Sequence, residues 1–372
     1  MRRNTKQMHY VSHAIIPHNE ARCRRLIARA IDTFSLNLNE FIVLTEAATG
    51  YYMLTALIAA LAGAEKVYAL TRDSHYGSAQ DVATSTLELA QRWGMENKVD
   101  IVFDRNDPRL IQADIVTNLG FVRPLNAQLL QRLKPTAVIP LMWETWEYRT
   151  EELDLAECHR LGLPVLGTNE HHPALRIFEY IGYIAMKLLF SLDIEIRDAT
   201  IAVVGSGEFA AMSADTLRTA GSRVILVNPQ KKGALQTDRA LKAIKIADGM
   251  VFVEHHSRRM LLGPGGDLRA EDLRSLNPGL VVAHICGGVD REDLTRCGFR
   301  CSPDLFAPPG YMSVATDYPG PKPLINLHTA GLRIGEAMAR SRASNPGATV
   351  LQIEQAVLSQ LTLAQGFPQT SS

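Results

Sequence analysis

The chain has 372 residues, 46% hydrophobic and 21% charged, the composition of a soluble globular protein long enough for two domains. Lysine plus arginine balances aspartate plus glutamate at 39 each, so no net field exists to draw in nucleic acid or an anionic membrane. No apolar run approaches the roughly 18 uncharged residues of a membrane span. The basic start, MRRNTKQMHY, lacks the apolar core of a secretory signal, with a mitochondrial presequence as the alternative. Five cysteines at irregular spacing fit free thiols, and a cytoplasmic setting is expected.

From residue 41 onward, strand and helix patterns alternate. FIVLTEA (41–47) reads as a buried strand and YYMLTALIAALAGA (51–64) as a helix. KVYAL (66–70) is a second strand, ATSTLELAQRWG (83–94) a second helix, and VDIVF (99–103) a third strand. ADIVTNL (113–119) and TAVIPLM (136–142) add two more. HPALRIFEYIGYIAMKLLFSLD (172–193) is apolar nearly all round, with Pro173 placed for a first helical turn, and reads as a helix buried between domains. A second series of strands follows in TIAVVGSG, SRVILVNP, GMVFVE and GLVVAHI. The fold class is therefore α/β, with two doubly wound Rossmann-like parallel-sheet domains joined by interdomain helices. Residues 1–171 form a Rossmann- or flavodoxin-like substrate domain and 172–345 a nucleotide-binding one. The tail helix, 346–366, either closes the second domain or completes the first.

The densest local signal is VVGSGEFA (203–210), which follows a strand, opens a helix and leads into a further strand. In Gly205-x-Gly207-x-x-Ala210 the first glycine permits the tight turn and the second lets backbone approach a pyrophosphate. The small third residue lets helix and strand pack closely, and the helix start offers unpaired N–H groups. Cofactor contacts are expected from Gly205, Ser206, Gly207, Glu208 and Phe209. At the end of the second strand, where an acid would bond the adenosine ribose, stands Asn228, followed by Lys231 and Lys232. An amide beside two ammonium groups leans toward NADP over NAD, and a solvated lysine pair in a loop is the plain alternative. The stretch AHICGGVDRED (283–293) carries a strand into Gly287-Gly288, and with His255 it would line the nicotinamide end of the cleft. Cys286 reads as packing, or as a thiol lining that pocket. His284 shares its strand face. His171-His172 and His255-His256 are adjacent pairs whose side chains diverge in extended chain, so no metal site is expected.

Residues 160–335 resemble the D-isomer-specific 2-hydroxyacid dehydrogenases. The resemblance is carried by RLGLPVLGTNEHHPALRIFEYIGYIAMKLL, VVGSGEFA, LRAEDLRSLNPGLVVAHICGGVDREDL and NLHTAGLRIGEA. It implies a homodimeric, NAD- or NADP-dependent oxidoreductase acting on a small molecule, with His328 exchanging a proton with substrate. Cys286 stands where the family has its carboxylate-gripping arginine. Ala307, Pro308 and Pro309 stand where its histidine-orienting acid falls, and Asp317 is the candidate replacement. The implied substrate site is altered.

TEAATGYYMLTALIAALAGAEKVYAL, NKVDIVF and ADIVTNLGFVRPLNAQLLQRLKPTAVI resemble the core of a class I methyltransferase, with Glu46 and Ala48 where glycines are expected. Polar groups at strand ends are the substrate candidates: Glu46, Thr49, Asn118, Arg123, Trp143, Glu144 and Trp146. MWETWEYR (142–149) reads as a packed aromatic corner, or as indole faces for a flat or cationic ligand. Two further readings stand beside the oxidoreductase. One is an enzyme holding NAD permanently for transient oxidation, as adenosylhomocysteine hydrolase does. The other is a non-redox protein binding NAD(P) or S-adenosylmethionine.

Overall fold

The computed structural model describes residues 19–74 and 76–368, so the MRRNTKQMHY start lies outside it. The chain is α/β and divides into two compact units, residues 1–175 with 321–372, and residues 176–320.

The sheet of the first unit begins with four parallel strands in the spatial order Val99–Val102, Lys66–Leu70, Ile42–Glu46, Ile115–Val116. A parallel bridge from Ile115 to Val138 continues it to Ile139–Pro140 and Val165–Thr168. Numbered along the chain, the order is 3-2-1-4-5-6, that of a dinucleotide-binding doubly wound sheet. Residues Ala364–Gln365 then pair antiparallel with Val165–Thr168 at the edge. The strands are short and buried on both faces, which is why they read as continuous apolar runs.

The long helix Lys322–Ser344 also belongs to this unit, packing on helices Glu20–Phe34 and Leu54–Leu61 and on the sheet. Its glycines explain the close approach. A Cβ on Gly335 would lie 2.7 Å from Ile115 Cγ2 and 2.9 Å from Pro140 Cγ, and one on Gly331 would overlap Met142. Any larger residue would lift the helix from the strands. The tail thus joins the first unit, and its helix stops at Gln360 rather than 366 because the chain turns to form the edge strand.

The second unit has five parallel strands in the order Cys301–Ser302, Val281–Cys286, Gly249–Val253, Thr200–Val204, Arg223–Val227. Along the chain this is 2-1-3-4-5, the flavodoxin-like form of the expected doubly wound parallel sheet. The reason is local. Between Arg223–Val227 and helix Asp238–Ile246 there is only a loop and one 3-10 turn, Ala234–Gln236, so no strand extends the sheet beyond Arg223–Val227. Helix Glu179–Phe190 packs on this unit's sheet and on helix Gly207–Thr219. Gly182 permits that crossing, since a Cβ there would overlap Thr216. Pro173 lies in the turns ahead of this helix, not in its first turn.

Candidate functional site

In the second unit the strand order reverses between Thr200–Val204 and Gly249–Val253, and ligands of such sheets bind outside the carboxyl ends at that point. Gly205, Ser206 and Gly207 follow the first of these strands, and Glu254, His255 and His256 the second. The two segments meet. A Cβ on Gly205 would lie 2.6 Å from Val253 Cγ2 and 2.9 Å from its carbonyl oxygen. Gly207 has φ +62°, and a Cβ on it would lie 2.7 Å from His256 Nε2. A valine at 207 would therefore strain the loop and strike the imidazole before reaching any ligand.

Glu254 builds this junction. Fully buried, it accepts the Ser206 hydroxyl on Oε2 (2.7 Å) and the backbone N–H groups of His256 (2.9 Å) and Ser257 (2.8 Å) on Oε1. With its hydroxyl turned to Glu254, Ser206 makes no side-chain cap to helix Gly207–Thr219, and the leading amides keep their capacity for an anion. Phe209 stacks on His255 at 4.2 Å, and His255 lies 3.8 Å from His256. Burial, with the neighbouring His256, pushes the His255 pKa down to about 4. Glu208 is exposed on the first turn.

Cys286, Gly287 and His284 lie at the end of the adjoining strand. Cys286 is buried in the apolar cluster between sheet and helix Glu179–Phe190, and burial, with Glu254 nearby, pushes its thiol up, away from thiolate chemistry. His284 donates Nε2–H to the Gly287 carbonyl (2.9 Å), so its Nδ1 accepts the Ser313 hydroxyl (2.7 Å). The ring stacks on Phe306 at 4.3 Å, and burial holds its pKa at about 4. It is a neutral, saturated core histidine.

Asn228 follows the edge strand and accepts Gln230 N–H at 3.0 Å, shaping a tight turn. Asn228 and Lys231 line an open cavity of about 600 Å³ along that strand. The loop between them is clamped by Arg259, which donates to the Pro229 and Lys231 carbonyls (2.5 and 2.7 Å) and pairs with Asp267 (2.6 Å). Asp267 in turn accepts Gly233 N–H at 2.8 Å.

The first unit's candidates also gather at strand ends. Glu46 ends its strand, is buried, and accepts Phe121 N–H at 2.8 Å. Burial raises its pKa to about 7, against the opposing pull of that N–H, Arg123 and Arg72. Thr49 precedes the 3-10 turn Gly50–Met53, which separates it from helix Leu54–Leu61. Asn118 accepts Met142 N–H, and Arg123 lies over the Trp143 ring at 4.8 Å while pairing with Glu152. Glu144 is buried, with Oε2 on the Trp146 indole N–H (2.5 Å) and Oε1 on Glu170 N–H (3.1 Å). Its neighbours Glu147 and Glu170 are both raised by burial, Glu147 to about 7. The tail fastens this corner, because Gln365 Oε1 accepts from Thr145 N–H and hydroxyl (2.7 and 3.0 Å).

His328 does not stand at the strand-to-helix position expected of it. It lies inside helix Lys322–Ser344, buried, with Nδ1 2.6 Å from Thr55 Oγ1, and burial pushes its pKa down to about 3. Asp317 belongs to the other unit, on the half-buried loop before Gly320, so the two do not share a unit.

Glu254, Arg259 and Asp267, which build these two loops, and Arg239, which lines the cavity, were not picked out from sequence. Only Glu254 carried a signal, an acid closing the strand-like run GMVFVE.

No family model matches the chain, and neither does any curated protein. Solved structures do. Dipicolinate synthase A chain from Bacillus subtilis is 14% identical over 83% of this chain and 98% of its own, at a TM-score of 0.46. The pyruvate reductase of Chlamydomonas reinhardtii is 12% identical over 82% and 97%, at 0.47. Phosphoglycerate oxidoreductase from Vibrio cholerae O395 is 13% identical over 81% and 99%, at 0.41. Among the described residues no helix is long and apolar enough to cross a membrane.

Proposed function

We propose that the chain binds NAD or NADP in its second unit and is a dinucleotide-dependent oxidoreductase acting on a small molecule. One observation carries the binding part. At the switch point of that unit's sheet, a glycine turn delivers the chain into a helix whose leading amides have no side-chain cap. A dinucleotide fits these residues: Gly205 and Gly207 let the turn close on Val253 and His256, and the uncapped first-turn amides would donate to the diphosphate beside the exposed His256. Glu254 keeps the turn in place through Ser206. Bound there, the nicotinamide would supply hydride transfer. The oxidoreductase part rests on the resemblance of residues 160–335.

His328 we propose as a packing residue rather than the proton carrier. A general acid or base works best with a pKa near the working pH, and burial holds this imidazole at about 3. Its partner Thr55 secures helix Lys322–Ser344 against helix Leu54–Leu61.

Titration of the full chain with NADH and NADPH, followed by nicotinamide fluorescence, tests the reading. Saturable binding of at least one is expected, lost in His256→Asp, whose carboxylate would face the helix start from an exposed position. No binding of either by the wild type at millimolar concentration ends the proposal. His328→Ala is expected to lower the melting temperature and leave nucleotide affinity unchanged.

A further inference from the structure

We infer that the cavity beside the edge strand Arg223–Val227 receives the phosphorylated ribose of NADP, making the protein selective for NADP over NAD. The inference rests on the dinucleotide reading above and adds to it which of the two cofactors is taken.

The cavity exists because the sheet stops at this strand. Residues Val224–Leu226 are only half-buried there, and the chain passes straight from the loop into helix Asp238–Ile246. Its volume of about 600 Å³ lies within the range of small-molecule sites, roughly 300–1,000 Å³. The lining has two characters. Leu226, Val227 and Ala240 offer an apolar wall suited to a flat heteroaromatic base, while Lys231, Lys232 and Arg239 supply three cations. None of the three cations is in an ion pair among the described residues. Asp267, which accepts the loop's Gly233 N–H, is already paired with Arg259, and Asp238 lies in the helix's first turn beside Arg239.

Position matters as much as charge. In a βαβ nucleotide unit the adenosine ribose falls at the end of the second strand, where an acid would bond its hydroxyls and repel a 2′-phosphate. That place is held by Asn228, whose Oδ1 is engaged by Gln230 N–H. A phosphate ester brings close to two negative charges at neutral pH. The clamp of Arg259 on the Pro229 and Lys231 carbonyls holds the loop in shape without a ligand. Little ordering is left for the ligand to impose.

The test is equilibrium binding of NADPH and NADH to the full chain. Each hydrogen bond to a charged group is worth about tenfold or more in affinity, so NADPH is expected to bind at least about tenfold tighter. Raising ionic strength should narrow the gap, because the cations are exposed. Lys231→Ala with Lys232→Ala and Arg239→Ala should weaken NADPH by at least about tenfold more than it weakens NADH, closing the gap between them. Asn228→Asp keeps the acceptor for Gln230 N–H, and so the turn, and should lower the NADPH to NADH preference by about tenfold. Equal binding of the two cofactors by the wild type overturns this inference and leaves the dinucleotide reading standing. Failure of both to bind overturns the dinucleotide reading itself. Tighter binding of NADH, or an unchanged preference in Asn228→Asp, would also overturn the inference.

Discussion

The two units carry the same device, a buried carboxylate at the end of a strand beside the sheet's switch point, and use it differently. Glu254 in the second unit meets three donors and ties a glycine turn to a histidine pair. Glu46 in the first unit meets one backbone N–H, and its pKa rises to about 7. The loops after the strands differ in step with this. Gly205–Gly207 leads directly into a helix, whereas Thr49 leads into a 3-10 turn before the helix starts. A strand-end acid with a full set of donors is a building part. One with a single donor is left under-solvated, and burial favours its protonated form.

The sharpest way to break this comparison is to delete both acids. Glu254→Ala would strand the Ser206 hydroxyl and two backbone N–H groups, each costing about 1–3 kcal/mol when buried and unmet. A loss of roughly 3–5 kcal/mol in the second unit is expected, with dinucleotide binding lost alongside. Glu46→Ala removes one acceptor but also a buried charge, and should change stability by about 1 kcal/mol or less at pH 8. Denaturant unfolding, with hydrogen exchange to locate each unit, measures both. Equal losses would dissolve the distinction.

Acidification sharpens the same contrast. Glu46 titrates at about 7 when folded, against an ordinary 4.5, so the folded chain holds the extra proton between those values. Stability from this group falls as pH rises from 4.5 to 7, by on the order of 3 kcal/mol. His284, at about 4 folded against 6.5, has the opposite sign: the unfolded chain holds the extra proton, and stability is lost as pH falls from 6.5 to 4. His255 adds to this in the second unit, and Glu147 and Glu170 add to Glu46 in the first, with His328 opposing them. Between pH 7 and 5, protection of strand Ile42–Glu46 should rise and that of Val281–Cys286 fall, after correction for intrinsic exchange. In Glu46→Gln the rise should shrink. Parallel behaviour of the two strands would refute the assignment.

Much of the scaffold was legible because strands of a parallel sheet buried on both faces must be apolar runs, and KVYAL and TIAVV are. Strand order was not, because it depends on whether ten residues after Val227 form a strand or a turn. The glycine turn was legible because its backbone geometry demands glycine. The acids were not. Glu46 and Glu254 look alike in sequence, and only the donors supplied by distant loops tell them apart. NLHTAGLRIGEA has a packing role that its spacing did not announce: Gly331 and Gly335 seat a helix on the strands at Met142, Ile115 and Pro140. A packing motif and a catalytic one can share their spacing.

The smallest expected effect compares two serines that each precede a helix. Ser78 in the first unit caps helix Ala79–Arg92, accepting Asp81 N–H at 3.1 Å. Ser206 in the second gives its hydroxyl to Glu254 and leaves its helix uncapped. Ser78→Ala should cost about 1 kcal/mol of stability, as lost caps do, and leave nucleotide affinity alone. Ser206→Ala should cost a similar amount, about 1 kcal/mol, because one hydrogen bond to a buried carboxylate is lost. It should also loosen the turn and weaken NADPH and NADH binding together by roughly fivefold, the equivalent of about 1 kcal/mol. Melting curves would scarcely separate the two variants, whereas binding isotherms would. If both serines proved silent in binding, the link from Glu254 through Ser206 to the diphosphate would be broken, and the first-turn amides alone would have to account for affinity.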